Sequence, residues 1–404
     1  MPKKITAHHR KYLFREVENV FQRKIATSGN CDHLSREIQV KTSHCISSQT
    51  LRRLYGLVKT NTSPSLFTLD ALSQYCGYED WGQFSSERKN INSPSAQTES
   101  FSKLVLDFYK APLPKLWPSD DYFVACKNIA ERIVTDDFLY KNLPSKLAAL
   151  PSGQILFFEC FPYIDGLGNG YQKHLKIYLQ NKPNDWQSQI FGNCLLFLGS
   201  VLTKNENQIK KYYSIVNSLA LPLPGQVHEL PTARYIGTQI LYHQFMGNHS
   251  ETSRWITKGL NEYSRYYEKK ELSFCNYFFV LSECFFLGGF YSECLELLEY
   301  MQNPKWKKYF NNYPVDLGYY EVAKVMIAIS NLKIGNSSKG KQILKETNTG
   351  SFVFTKSKLY TLHYLSEQLN LCGVNANTKR KIIINQIDGL VRDTGFIYFS
   401  LAAN

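Results

Sequence analysis

Apolar positions along the first 87 residues recur every three or four residues, which is the spacing of amphipathic helices. The stripes predict five short helices, over residues 13–25, 31–41, 49–60, 66–76 and 81–84. Ser47 precedes the third stripe at a favoured N-cap position, and Ser63 and Pro64 are typical of a helix start before the fourth. Gly77 marks the predicted end of the fourth helix. These 87 residues therefore predict a small helical domain.

The third stripe separates two kinds of side chain. On a helical wheel its inward face contains Leu51, Leu54, Tyr55 and Val58. The opposite face has no acidic residue, and it is made of Gln49, Arg53, Gly56 and Thr60, with Arg52 and Lys59 on its flanks. We therefore expect a helix that is anchored on one side and presents polar and basic groups on the other.

From residue 99 onward the pattern stays helical, and the alternation typical of strands is scarce. In three predicted helix pairs, a turn at Gly247, Gly289 or Gly335 joins the two helices of the pair. These glycines stand 42 and 46 residues apart. This spacing favours helical hairpins that stack and bury their stripes against one another. Residues 281–301 resemble a tetratricopeptide (TPR) helix pair, so degenerate TPR-like repeats are expected, with an irregular helical bundle as the alternative.

The pattern predicts an all-α chain in four segments. Residues 1–87 form the N-terminal domain, and the polar residues 88–98 form a linker. Residues 99–230 form an irregular helical region, and residues 231–404 form the TPR-like hairpins.

The charge of the chain is strongly basic and concentrated at one end. The net charge is +13, and residues 1–60 contain twelve Lys or Arg and four Asp or Glu, a net charge of +8. Such an excess favours a polyanionic partner, either nucleic acid or an anionic membrane surface, with a solvated basic surface as the alternative.

Cysteine usage and hydropathy predict a soluble cytoplasmic protein without a membrane segment. The ten cysteines form no C-x-x-C pair, which is typical of reduced thiols. The N-terminus is basic but lacks the apolar stretch of a secretory signal. The most apolar run, residues 278–290, is too short to span a bilayer and contains Glu283.

The residues with reactive side chains form no recognisable catalytic or metal-binding pattern. Residues 164–170 are glycine-rich, but they lack the spacing of a dinucleotide loop and the lysine of a P-loop. His33 and Glu37 stand one helical turn apart, with no second pair to complete a metal site. We expect no enzyme activity, cofactor or metal.

One run of motifs adds a resemblance. Ile46-Ser47 opens the third helix, Pro64-Ser65 and Thr68-Leu69 open the fourth, and Gly77-Tyr78 precedes an aromatic turn at residues 81–84. In this order, residues 31–84 resemble the helix-turn-helix of the Cro/C1 repressor class. That class has a tight turn with a glycine between its second and third helices, whereas residues 41–45, KTSHC, are longer and have no glycine.

The resemblance implies a transcriptional regulator that binds double-stranded DNA. The implied groove-facing residues are Ser47, Ser48, Gln49, Arg52 and Arg53, and the implied phosphate-proximal loop contains Lys59, Thr60 and Asn61. Glutamine can pair with adenine, and arginine with guanine, in the major groove. The helical repeats would serve homodimerisation or bind a peptide or protein partner. The alternative is an interaction scaffold whose N-terminal module does not bind DNA; an enzyme with a site in residues 110–230 is a third, weaker hypothesis.

Overall fold

The chain folds into helices, as the apolar pattern predicts. A computed structural model describes residues 7–58, 64–87, 96–113, 120–219, 228–267, 276–298, 314–373 and 377–400. Within these ranges there is no β-strand, so the all-α prediction is confirmed. The chain divides into two compact units, which are unit 1 (Met1–Ser100) and unit 2 (Phe101–Asn404).

Unit 1 is built around one apolar core to which each of its first helices contributes. These helices are α1 (Ala7–Phe21), α2 (Ser28–Thr42), α3 (Ser48–Leu54), α4 (Leu66–Tyr75) and α5 (Trp81–Glu87). One fully buried side chain from each, in the same order, is Leu13, Leu34, Leu51, Leu72 and Phe84. The predicted stripes therefore meet in a common core.

The bounds of these helices differ from the predicted ones, most clearly at the end of α1 and at the start of α4. Helix α1 ends at Phe21, and Ile25 is buried in the following link instead of extending the helix. Helix α4 is capped by Ser65, two residues later than predicted, because the Ser65 Oγ accepts from the Thr68 amide at 3.2 Å. Leu66 was predicted on the inward stripe of α4, but it is 64% exposed.

The remaining helices run from the end of unit 1 through unit 2. The first of them begins at Ala96, inside the predicted linker. They are α6 (Ala96–Lys110), α7 (Asp120–Thr135), α8 (Asp137–Asn142), α9 (Pro144–Leu147), α10 (Pro151–Gly153), α11 (Tyr171–Asn181), α12 (Trp186–Leu202), α13 (Glu206–Ser218), α14 (Glu229–Phe245), α15 (His249–Tyr267), α16 (Tyr277–Gly288), α17 (Tyr291–Leu298), α18 (Pro314–Lys333), α19 (Ser337–Glu346), α20 (Ser357–Leu371) and α21 (Asn377–Thr394). A π-helical turn, Gln154–Glu159, follows α10, and short 3₁₀ turns lie at Ile164–Gly166, Thr349–Ser351 and Ile397–Phe399.

Four helix pairs in unit 2 share one kind of turn: α12–α13, α14–α15, α16–α17 and α18–α19. Each turn has a residue in the left-handed region, with φ between 50° and 94°, and these residues are Lys204, Gly247, Gly289 and Gly335. The next amide donates to the carbonyl five residues earlier, at 2.8–2.9 Å in all four turns. The three predicted turn glycines are confirmed. The pair α12–α13 lies in the region predicted to be irregular, where Lys204 takes the place of glycine.

The first three pairs pack through their first helices, and the fourth pair packs mainly through the contact of α18 with α17. Helix α12 contacts α14, α14 contacts α16, and α16 contacts α18. The approach of α14 to α16 is close at Gly237, where a Cβ atom would lie 2.2 Å from the Cys284 Sγ. A side chain at position 237 is therefore excluded unless the two helices separate.

Helix α16 is strongly apolar, and its glutamate is neutralised inside unit 2. The Glu283 Oε1 accepts from the Lys356 Nζ at 2.6 Å and from the Tyr360 hydroxyl at 2.9 Å. The Lys356 ammonium also lies 4.8 Å from the centre of the Phe279 ring. A buried charge is tolerated when it is paired and hydrogen-bonded in this way. Across the part of the chain that the structure describes, no helix combines the length and apolarity needed to cross a membrane.

The glycine-rich loop at residues 164–170 caps a distant helix. The fully buried carboxylate of Asp165 accepts from the amides of Lys358, at 2.7 Å, and Leu359, at 2.9 Å, at the start of α20. Burial raises the pKa of Asp165 to about 6, against these hydrogen bonds, which lower it. The loop therefore ties residues almost two hundred positions apart.

Replacing Gly237 tests the packing of α14 on α16. Gly237→Ala is expected to lower the free energy of unfolding by about 1–3 kcal/mol, because the added methyl group overpacks the contact with Cys284. The matched control is Gly389→Ala in α21, where a Cβ meets nothing within 4 Å. That change should raise stability by about 0.5–1 kcal/mol. Urea unfolding followed by circular dichroism measures both, and equal effects would contradict the proposed close contact.

Replacing Asp165 tests the distant cap. Asp165→Ala is expected to destabilise the protein by about 1–3 kcal/mol, because two buried amides lose their acceptor. Since its pKa is raised on folding, the folded state holds the Asp165 proton between about pH 4 and 6 while the unfolded chain has lost it.

The contribution of Asp165 to stability therefore falls as pH rises through that window, by at most about 1.4 kcal/mol per pH unit. Asp165→Asn keeps one acceptor and removes the titration. Urea unfolding across this window should show the wild type losing stability relative to Asp165→Asn as pH rises. A pH-independent difference would contradict the assignment.

Candidate nucleic-acid interface

The position of α3, the helix predicted to enter the DNA groove, is set by the leucines that it buries. Leu51 is fully buried and Leu54 is 4% exposed, both in the core of unit 1. Ser47 caps the helix as predicted, since its Oγ accepts from the Thr50 amide at 3.1 Å. A helix of seven residues is not stable alone in water, so its position depends on these contacts.

The helix ends earlier than its apolar stripe predicts. Tyr55 is the C-cap, and Gly56 follows in the left-handed region at φ 75°. The Leu57 amide donates to the Arg52 carbonyl at 2.8 Å, which closes the helix. Gly56 is thus a stop signal, not a member of the outer face, and Val58, predicted to face inward, is 36% exposed. The predicted loop residues Lys59, Thr60 and Asn61 lie outside the described residues.

The link between α2 and α3 turns the chain at a serine instead of a glycine. Ser43 adopts the left-handed conformation, φ 60°, at the end of α2. The Thr42 Oγ1 donates to the Ile38 carbonyl at 2.7 Å, and the His44 amide donates to the Thr42 Oγ1 at 3.2 Å. The side chain of Thr42 therefore supports the longer link that the KTSHC sequence creates.

Two of the five predicted groove-facing residues are turned toward α2. The Arg52 Nη2 lies 2.8 Å from the Asp32 Oδ1, and Ser48 also hydrogen-bonds to Asp32. The Ser48 hydrogen bond, followed by the nearby Arg52 charge, lowers the pKa of Asp32. Ser48 and Arg52 are one turn apart, so a single carboxylate on α2 holds one side of α3.

Gln49 and Arg53 form the outer face of α3. They are also one turn apart, both are exposed, and neither forms an ion pair or hydrogen bond with the described residues. Ser47 is exposed beside them, with its hydroxyl occupied by the Thr50 amide and the Thr50 Oγ1. The outer face therefore presents one carboxamide and one guanidinium that are free to meet a ligand.

Contacts between α2 and the start of α3 add to this arrangement and were not predicted. The Ser35 Oγ donates to the Ile46 carbonyl at 2.5 Å, across the link. Neither Ser35 nor Asp32 carries a sequence signal for these contacts, because a single serine or aspartate on a helix surface is ordinary. Together they join α2 and α3 into one body.

Carboxylates elsewhere in unit 1 are used within it. The Glu18 Oε1 accepts from the Ile25 amide at 3.0 Å, and the Glu37 Oε2 accepts from the Tyr75 hydroxyl at 2.6 Å. The net charge of +8 over residues 1–60 already counts these two carboxylates.

The described ranges show no group of three or more His, Cys, Asp or Glu side chains that could hold a metal ion. His33 and Glu37 contact each other at 3.4 Å on the surface of α2. A scan against protein-family models finds no match to this chain, and a search of curated proteins finds no match either.

Two neighbouring arginines provide a test of this geometry. Arg52→Ala is expected to lower the urea midpoint of unfolding, because it removes the partner of Asp32 and the packing of a partly buried side chain. Arg53→Ala is the matched control and should leave the midpoint unchanged, since its side chain is exposed. Unfolding followed by tryptophan fluorescence, to which the buried Trp81 of unit 1 contributes as one of five tryptophans, distinguishes them. Equal midpoints for the two variants would contradict the division of α3 into two sides.

Proposed function

We propose that this protein is a DNA-binding transcriptional regulator in which α3 contacts duplex DNA through the major groove. The proposal rests on the positions of Gln49 and Arg53, which are both exposed and stand one turn apart on a helix whose opposite side is buried. These are the side chains that make bidentate contacts with adenine and guanine. The excess positive charge of residues 1–60 supports association with phosphates.

The length of α3 limits how much sequence one copy can read. Seven helical residues extend about 10 Å, which matches about three base-pair steps. Specific binding therefore requires two copies, on half-sites about one helical turn of DNA apart. We assign dimerisation, or the binding of a peptide or protein partner, to the stacked helix pairs of unit 2, which we regard as degenerate TPR-like repeats. No catalytic role is proposed, and the free cysteines suit a reducing compartment such as the cytoplasm.

Within the proposal, the implied DNA-contacting residues have different roles. Gln49 and Arg53 contact base edges. Ser48 and Arg52 keep the helix oriented through Asp32. Ser47 starts the helix, and the loop containing Lys59, Thr60 and Asn61 contacts phosphates.

Selection of binding sites from a random duplex pool, with the full-length protein, tests the function. We expect binding that weakens with salt at a log–log slope of about −0.9 for each phosphate contact. Gln49→Ala and Arg53→Ala should change the selected bases, at about 1–3 kcal/mol per lost bidentate contact. Lys59→Ala should weaken binding to all duplexes alike. Binding that is absent, or insensitive to salt, would remove the proposal.

A second candidate function rests on a different observation in unit 1. Val40 on α2 is 87% exposed and Phe67 on α4 is 52% exposed, which is unusual for large apolar side chains. These residues favour a protein-docking module within an interaction scaffold. Val40→Ser and Phe67→Ser should then abolish partner capture, while Gln49→Ala and Arg53→Ala should have no effect. The opposite pattern supports DNA binding.

A further inference from the structure

A cleft of about 350 Å³ lies in unit 2 between the last described helices. Its walls come from α19, from the C-terminal half of α20 and from the first turn of α21. The polar lining residues are Lys341, Lys345, Tyr364, Gln368 and Lys379. The apolar lining consists of Leu344, Leu371 and Cys372 beside Gly373. The cleft is remote in sequence from α3 and plays no part in the contacts described above.

The charge of the cleft has one sign. Lys341 and Lys345 stand one turn apart on α19, and Lys379 approaches from α21, all three exposed. Within the described part of the chain, none of the three forms an ion pair. The lining contains no acidic residue. Three ammonium groups around one concave surface therefore lack an internal counter-charge.

The nearest acidic side chains on the same helices are engaged elsewhere. The Glu346 Oε1 accepts from the Gln342 Nε2 at 3.0 Å along α19. The Glu367 Oε2 lies 3.1 Å from the Lys333 Nζ, and Glu367 is almost fully buried. These contacts leave the lysines of the cleft available to an external anion.

The end of α20 that borders the cleft has a fixed shape. The Arg380 Nη1 donates to the carbonyls of Leu369, at 3.1 Å, and Cys372, at 3.3 Å. The Gln368 Nε2 donates to the Tyr364 hydroxyl at 3.0 Å. These bonds hold the helix end and the polar wall of the cleft in place.

The apolar part of the cleft favours an acidic peptide over a phosphate-rich ligand. Leu371 is 39% exposed and lies among the lysines, with the buried Leu344 behind it. A phosphate-rich ligand would satisfy the three ammonium groups but would leave these aliphatic side chains without a partner. A peptide that carries carboxylates around an apolar side chain satisfies both, because its charges meet the lysines and its apolar group covers Leu371.

We infer that this cleft, which we name the α19–α21 cleft, binds an acidic peptide segment with at least one large apolar side chain. The inference rests on the partner-binding part of the proposed function, to which it gives a location and a chemistry, and it does not depend on DNA binding by unit 1.

The test uses the full-length protein and a short fluorescent peptide in which leucines are flanked by glutamates. We expect saturable binding by fluorescence anisotropy that weakens as added salt shortens the screening length. Lys341→Gln combined with Lys345→Gln should weaken binding about five- to tenfold, as expected for two partly screened charge pairs. Leu371→Ser should weaken the same binding through loss of the apolar contact.

A matched control variant keeps the number of charges equal. Lys173→Gln combined with Lys176→Gln removes two exposed lysines one turn apart on α11, far from the cleft in sequence. This variant should bind the peptide as the wild type does. Equal weakening by both double variants would show attraction to the overall charge alone and would overturn the inference.

Two further probes separate the peptide from other anions. Binding should be lost when serines replace the leucines of the peptide, and inorganic tripolyphosphate should compete poorly. Equal binding of the serine peptide, or displacement by tripolyphosphate at equal charge concentration, would identify a general polyanion site and overturn the inference. Titration of the same variants with duplex DNA reports on the regulator proposal separately, so either conclusion can fail without the other.

Discussion

The structure depends on one constraint, which is that every helix must end with its last carbonyls bonded before the next element begins. A residue in the left-handed region satisfies it by turning the chain so that the following amide reaches back into the last turn. Gly56 does this after only seven residues of α3, and Gly247, Gly289 and Gly335 do it between the two helices of a pair in unit 2. The short exposed face of α3 and the stacking of the longer pairs both follow from where these residues stand.

The sequence predicts this constraint only where glycine marks it. The helical content, the inward stripes and the three glycine turns of unit 2 could be predicted because they are local and periodic. The turns at Lys204 and Ser43 could not, since neither lysine nor serine favours the left-handed region. At those positions the surrounding hydrogen bonds and packing impose a conformation that the residue itself does not prefer. The earliest helix pair was therefore not predicted, although it follows the same spacing as the others.

The candidate interface shows the same limit in a different form. The burial of Leu51 and Leu54 follows from their spacing, and so does the outward direction of Gln49 and Arg53. The separation of Arg52 from Arg53 does not, because it depends on Asp32, twenty residues earlier on α2. A helical wheel assigns both arginines to the polar side. Only the tertiary contact distinguishes an arginine that holds the helix from one that is free to bind.

This distinction bears on what unit 1 can bind. Contacts to base edges need side chains held in fixed directions, and α3 is too short to fix them by itself. Burial of its leucines, the ion pair of Arg52 with Asp32 and the bond from Ser35 to Ile46 provide three independent ties. The face they orient displays a carboxamide and a guanidinium and no large apolar side chain, so it suits a polar, anionic surface. The most exposed apolar side chains of unit 1 lie instead on α2 and α4. Duplex binding would therefore depend on the polar side chains of α3, whereas protein docking would depend on the apolar side chains of α2 and α4.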